Sequence, residues 1–149
     1  MLTMNDKITI STIDISTSLP LPLADAGIKA GFPSPAQDYM DIAIDLNQEL
    51  VRHPSTTFYG RVRGDSMQDA HVFDGDILVI DKSLEPQSGD MAVCYIDGEF
   101  TIKYIEVTEN RVSLIPANPL YPTINVTADQ DLIIWGVVTY VIHKAQKRR

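Results

Sequence analysis

Gly64-Asp65-Ser66-Met67 is followed, 37 positions beyond its serine, by Lys103 in the run Glu99-Phe100-Thr101-Ile102-Lys103. A serine hydroxyl is a weak nucleophile near neutral pH and needs a base beside it, a task that a neutral lysine amine can perform. Ser66 and Lys103 are therefore the candidate nucleophile and base. Gly64 suits a tight turn, and such a turn aims backbone N–H groups at a developing oxyanion. Phe100, Ile102, Tyr104, Ile105 and Val107 predict that Lys103 sits on a strand packed against a core. A free lysine has a pKa of about 10.4, and burial favours the neutral form of such a group. The chemistry suggested is acyl transfer without a histidine. Taken alone the pair is unspecific, because G-D-S-M is a common kind of turn and a strand lysine usually faces solvent.

Upstream, Ala30-Gly31-Phe32-Pro33-Ser34-Pro35 sets a bond between two small residues in an otherwise flexible stretch, and reads as a cleavage site. Five words run in register from Gly31 towards the C-terminus: Ala30 to Ala36, Ile44-Asp45-Leu46-Asn47-Gln48, Gly64-Asp65-Ser66-Met67, Asp74-Gly75-Asp76 and Asp97-Gly98-Glu99-Phe100-Thr101-Ile102-Lys103. On these words the chain resembles UmuD-type proteins of the LexA/UmuD family of self-cleaving Ser-Lys peptidases. The resemblance implies that Ser66 cuts the Ala30–Gly31 bond of its own chain, with Lys103 as general base and the backbone amides of Asp65 and Ser66 as the oxyanion hole. It also implies a homodimer that, once cleaved, joins a UmuC-like error-prone DNA polymerase subunit in translesion synthesis. Cutting would be stimulated by a RecA filament on single-stranded DNA, as part of the SOS response to damage. Close UmuD relatives often carry cysteine before the scissile bond where this chain has Ala30, and both residues are small. The first 25 or so residues match poorly, and nothing is carried over to them.

The remaining composition narrows the function classes. A chain of 149 residues fits one compact domain plus a tail. A net charge of −8 argues against direct clamping of nucleic acid, which needs clustered lysine and arginine. The basic end Lys144, Lys147, Arg148 and Arg149 reads as a solvated tail. Cys94 is the one cysteine, so no internal disulfide forms and a reducing, cytoplasmic setting is expected. No stretch has the length of a membrane span, and the N-terminus lacks a signal-peptide pattern.

These features must be positioned by the elements around them. Residues 1–35 read as a flexible arm carrying the cleavage site, with Ile8, Ile10, Ile13 and Ile15 alternating with polar residues before the phase slips, as suits an arm that adds a strand or lies in a groove. Pro20, Pro22, Pro33 and Pro35 keep this part extended, which is the conformation a peptidase cleft receives. Residues 36–149 are expected to form a β-rich peptidase-like domain. Ala36 to Arg52 shows roughly helical spacing, through Tyr39, Met40, Ala43, Leu46, Leu50 and Val51, with Asp45 and Gln48 as a capping pair and His53-Pro54 as the stop. Six β-rich runs follow, Thr57–Arg63, Ile77–Asp81, Met91–Ile96, Glu99–Val107, Arg111–Ile115 and Leu132–Ile142, with Asp97-Gly98 as a hairpin signal. The expected fold is mostly β: a compact domain of strongly bent sheets with a short helix, an extended N-terminal arm and the last run central.

Other constellations are weaker. Asp74, Asp76 and Asp81 lack the ligand spacing of a calcium loop and read as a turn entering a strand, so no metal or cofactor is expected. His53, His71 and His143 are scattered, and only His71 lies near the serine for a triad. Trp135 and Tyr140 suit core or interface, and Pro116 to Pro122 reads as a surface loop. Two further functions compete with self-cleavage. One is a non-cleaving dimeric subunit that holds a polymerase or related complex. The other is a repressor of the LexA kind, disfavoured because the 35 residues before the helical run show no helix-turn-helix pattern and little basic charge.

Overall fold

The computed structural model describes residues 7–12, 20–23 and 42–145. Its elements in chain order are β1 (Lys7–Thr12), β2 (Pro20–Leu23), β3 (Ile42–Asp45), α1 (Leu46–Leu50), β4 (Thr57–Arg63), β5 (Ile77–Asp81), β6 (Met91–Ile96), β7 (Glu99–Val107), β8 (Val112–Ile115), β9 (Ile124–Val126) and β10 (Leu132–Ile142). Eight strands form one sheet in the order β1-β4-β5-β10-β6-β7-β8-β9, and β2 pairs with β3 in a second. Among the described residues the architecture is thus mostly β with one short α-helix. Five of the six runs read from the sequence are strands with the same bounds, and Arg111 falls just outside the sixth.

Alternation explains the layering. Ile8, Val62, Leu78, Ile80, Val93 and Ile102 pack in one cluster with Met67 and Val72, while Ala92, Cys94, Ile105 and Leu114 form another. In β6 successive side chains leave on opposite faces, so Val93 joins the first cluster and its neighbours Ala92 and Cys94 the second. β10 lies between β5 and β6, with register shifts between Ile134 and Gly136 on one side and Val138 and Tyr140 on the other. Such bulges add bend and twist where a long strand serves two neighbours. Asp97 and Gly98 join β6 to β7 with φ of 49° and 85°, the doubly left-handed turn that matches strand twist.

At the N-terminal end, Ile8 is buried in β1, which pairs antiparallel with β4 from Lys7 opposite Arg63 to Thr12 opposite Phe58. The alternating isoleucines do add a strand; Ile13 and Ile15 lie outside the described residues. The helical reading of Ala36 to Arg52 needs correction. Ala43 belongs to β3, which pairs with β2, and the helix is confined to Leu46–Leu50. Asp45 has extended backbone and its carboxylate accepts from Asn47 N–H at 3.1 Å, so the capping residue ends a strand as it starts the helix. Helical spacing and a cap fit a single turn, whereas the residues before the cap gain more from strand pairing. Tyr39 and Met40 lie outside the described residues.

Candidate active site

Lys103 occupies the middle of β7, opposite Ala92 of β6, and is 4% exposed. Its Nζ donates to Ser66 Oγ at 3.0 Å, to Thr101 Oγ1 at 2.7 Å and to the Ile102 carbonyl at 3.0 Å. Thr101 stands two residues before Lys103, hence on the same face of the strand. Two of these partners come from β7 itself, so the strand helps to aim the amine. A neutral amine keeps two N–H donors for Ile102 O and Thr101 Oγ1 and turns its lone pair to the serine hydroxyl. The geometry therefore accommodates proton transfer from Ser66.

Ser66 is fully buried, in the connection that leaves β4. Gly64 turns this connection with φ of 101°, a region that favours glycine, and its N–H is held by Asp74 Oδ1 at 2.9 Å. Met67, 1% exposed, anchors the next residue in the core cluster, and a 3-10 turn follows at Gln68–Ala70. A loop from the far side of the sheet closes on the same turn. Ala117 N–H donates to the Ser66 carbonyl at 2.9 Å, Asp69 N–H to the Ala117 carbonyl at 2.7 Å, and Asn118 Nδ2 to the Asp65 carbonyl at 2.9 Å. The Tyr121 hydroxyl donates to Asp65 Oδ1.

The structure thus brings Ser66, Lys103 and the Asp65–Ser66 backbone together; Ala30 and Gly31 lie outside the described residues. His71 is exposed, with its ring 6.5 Å from that of Phe73, while Ser66 Oγ receives Lys103. The carboxylates Asp74, Asp76 and Asp81 hold backbone and histidines. Besides Asp74 on Gly64, Asp76 accepts from Phe73 N–H at 2.9 Å and meets His143 Nδ1 at 2.6 Å, and Asp81 meets His53 Nδ1 at 2.6 Å. Burial raises the Asp81 carboxyl, but hydrogen bonds from His53, Ser83 and Thr56 outweigh it and bring the pKa down to about 2. Burial pushes the Cys94 thiol up to about 12, against a smaller opposing pull from the Lys103 charge.

Sequence reasoning missed Thr101, although strand alternation alone places it beside Lys103. It also read Pro116 to Pro122 as a surface loop, whereas Asn118 is 4% exposed and bonded to the serine turn. No local signal reveals that contact, since 53 positions separate Asn118 from Asp65. Trp135 packs against the core beside Phe58 and Phe100, with Lys82 Nζ 4.8 Å above its ring, and Tyr140 is exposed.

A family model described as Peptidase S24-like matches residues 22–139. The chain is 43% identical over 125 residues to Protein SamA of Salmonella typhimurium strain LT2, covering 84% of this chain and 86% of that protein. It is 44% identical over 114 residues to Protein MucA of Escherichia coli, with coverages of 76% and 77%. The LexA repressor of Alcanivorax borkumensis is 37% identical over 115 residues, covering 77% of this chain and 55% of that protein. The chain belongs to the Peptidase S24-like family, as a UmuD-type member.

Proposed function

We propose that this chain is a self-cleaving serine peptidase of the SOS response, cut between Ala30 and Gly31 by its own Ser66–Lys103 pair. The observation that carries the reading is the 3.0 Å contact between Lys103 Nζ and Ser66 Oγ, both buried. In this reading neutral Lys103 takes the proton as Ser66 Oγ bonds to the Ala30 carbonyl carbon. The Asp65 and Ser66 amides hold the resulting oxyanion. The bond to Gly31 nitrogen then breaks, with the lysine's proton passing to that nitrogen. Water, deprotonated by the same amine, hydrolyses the ester and leaves an Ala30 carboxylate and a free serine. Tethering the substrate to the enzyme raises its effective concentration, which suits so spare a set of groups.

The UmuD-type resemblance extends the proposal to a cytoplasmic homodimer whose cleaved form serves a UmuC-like error-prone polymerase, with a RecA filament on single-stranded DNA as the stimulus. The test is incubation of the pure protein at neutral and alkaline pH, with and without RecA, single-stranded DNA and nucleotide, followed by intact-mass analysis. A product beginning at Gly31 is expected. A main product starting elsewhere refutes the assigned bond, and no product under any condition favours a non-cleaving dimeric subunit.

A further inference from the structure

Asn118 has both edges of its side-chain amide engaged. Its Oδ1 accepts Leu120 N–H at 2.9 Å, while Tyr121 N–H returns to the Asn118 carbonyl at 3.0 Å, so a tight turn locks the side chain in place. With Oδ1 occupied, the NH2 edge faces the Asp65 carbonyl, where Nδ2 donates at 2.9 Å. That carbonyl also accepts Gln68 N–H at 3.2 Å. The Asp65 carbonyl and the Ser66 N–H belong to one planar trans peptide and point in opposite directions. Holding the carbonyl therefore aims the N–H. The same loop ties the residue on either side of this peptide, through the Tyr121 hydroxyl on Asp65 Oδ1 and Ala117 N–H on the Ser66 carbonyl at 2.9 Å.

We propose that Asn118, supported by Tyr121, is a positioning residue that turns the Asp65–Ser66 peptide so that the Ser66 N–H meets the oxyanion formed during self-cleavage. This rests on the function proposed above. Donor groups of an oxyanion hole act by being aimed before charge develops, so a rotated peptide loses transition-state stabilisation without losing the nucleophile. The amine is held separately by Thr101 and Ile102 on β7. The loop thus acts on the oxyanion side of the reaction, apart from the β7 contacts that hold the amine.

The experiment compares self-cleavage of the full chain as wild type, Ser66→Ala, Asn118→Ala and Tyr121→Phe from about pH 7 to about pH 10, with thermal unfolding and the 1H–15N spectrum of each. Asn118→Ala is expected to slow cutting by about tenfold to a hundredfold, and Tyr121→Phe by about threefold to tenfold. Both curves should keep the wild-type shape, and the Ser66 amide resonance should shift in each while amides of β7 stay put. Folded variants that cut at the wild-type rate, or a rate curve displaced along the pH axis, overturn the proposal. So does an unmoved Ser66 amide. Should Asn118→Ala unfold at the assay temperature, Tyr121→Phe, which loses only a hydroxyl, decides the matter. Failure of the wild type to cut, or cutting by Ser66→Ala, instead defeats the functional reading itself.

Discussion

Lys103 Nζ lies 3.0 Å from Ser66 Oγ, a distance at which a neutral amine can turn its lone pair to the serine hydroxyl. Lys103→Arg is therefore expected to stop cleavage in a protein that still folds, because guanidinium stays protonated and cannot accept the serine proton. An active Lys103→Arg would return His71 to consideration as the base. Cys94 offers a second test at this scale. Its thiol, pushed up to about 12 by burial, should resist iodoacetamide in the native protein at mildly alkaline pH and react once denaturant is added. A folded pKa above the unfolded one contributes stability that is complete below the unfolded value and lost as pH rises through the folded value. The Cys94 contribution should accordingly fade from the ordinary thiol value of 9.0 towards about 12.

Between elements, β10 approaches β5 closely at Gly136. A Cβ added at Gly136 would stand 2.6 Å from Ile80 Cγ2, in the core. Gly136→Val should lower the stability to urea by about 2 kcal/mol, since overpacking forces side chains off their rotamers. A variant as stable as wild type would mean that the bulge beside Gly136 relaxes freely. The start of the sheet is testable in the same way. Ile8 is 7% exposed within the main core cluster, and Ile8→Ala should cost about 2 kcal/mol if β1 holds its place in solution. At the end of β5, Asp81 joins the strand to His53, Thr56 and Ser83. With its pKa lowered to about 2, its contribution is present above the ordinary carboxyl value of 3.8 and lost as pH falls through about 2. Asp81→Asn should therefore flatten part of the acid limb of an unfolding curve measured across that window.

For the molecule as a whole, the proposed dimer predicts a light-scattering mass of about twice the 16.6 kDa chain. A strict monomer at micromolar concentration would count against both the polymerase partnership and cutting between chains. The net charge of −8 predicts that free single-stranded DNA neither binds the protein tightly nor speeds cleavage without RecA. Stimulation by DNA alone would contradict that expectation.

Strand identity was legible because β-rich runs alternate with turn residues, and alternation depends only on neighbours along the chain. The Asp97-Gly98 hairpin was legible for the same reason, as its two residues alone define the turn. Ser66 and Lys103 stand out by residue type and surrounding words, which carry no geometry. Ala43 misled because three or four spaced apolar residues suit a helix as well as a strand, and only the pairing with β2 decides. The 3.0 Å approach of Lys103 to Ser66 and the closure of Asn118 on Asp65 belong to tertiary structure alone. Contacts 37 and 53 positions apart arise from how the sheet folds back on itself, and local residue patterns carry no measure of that distance.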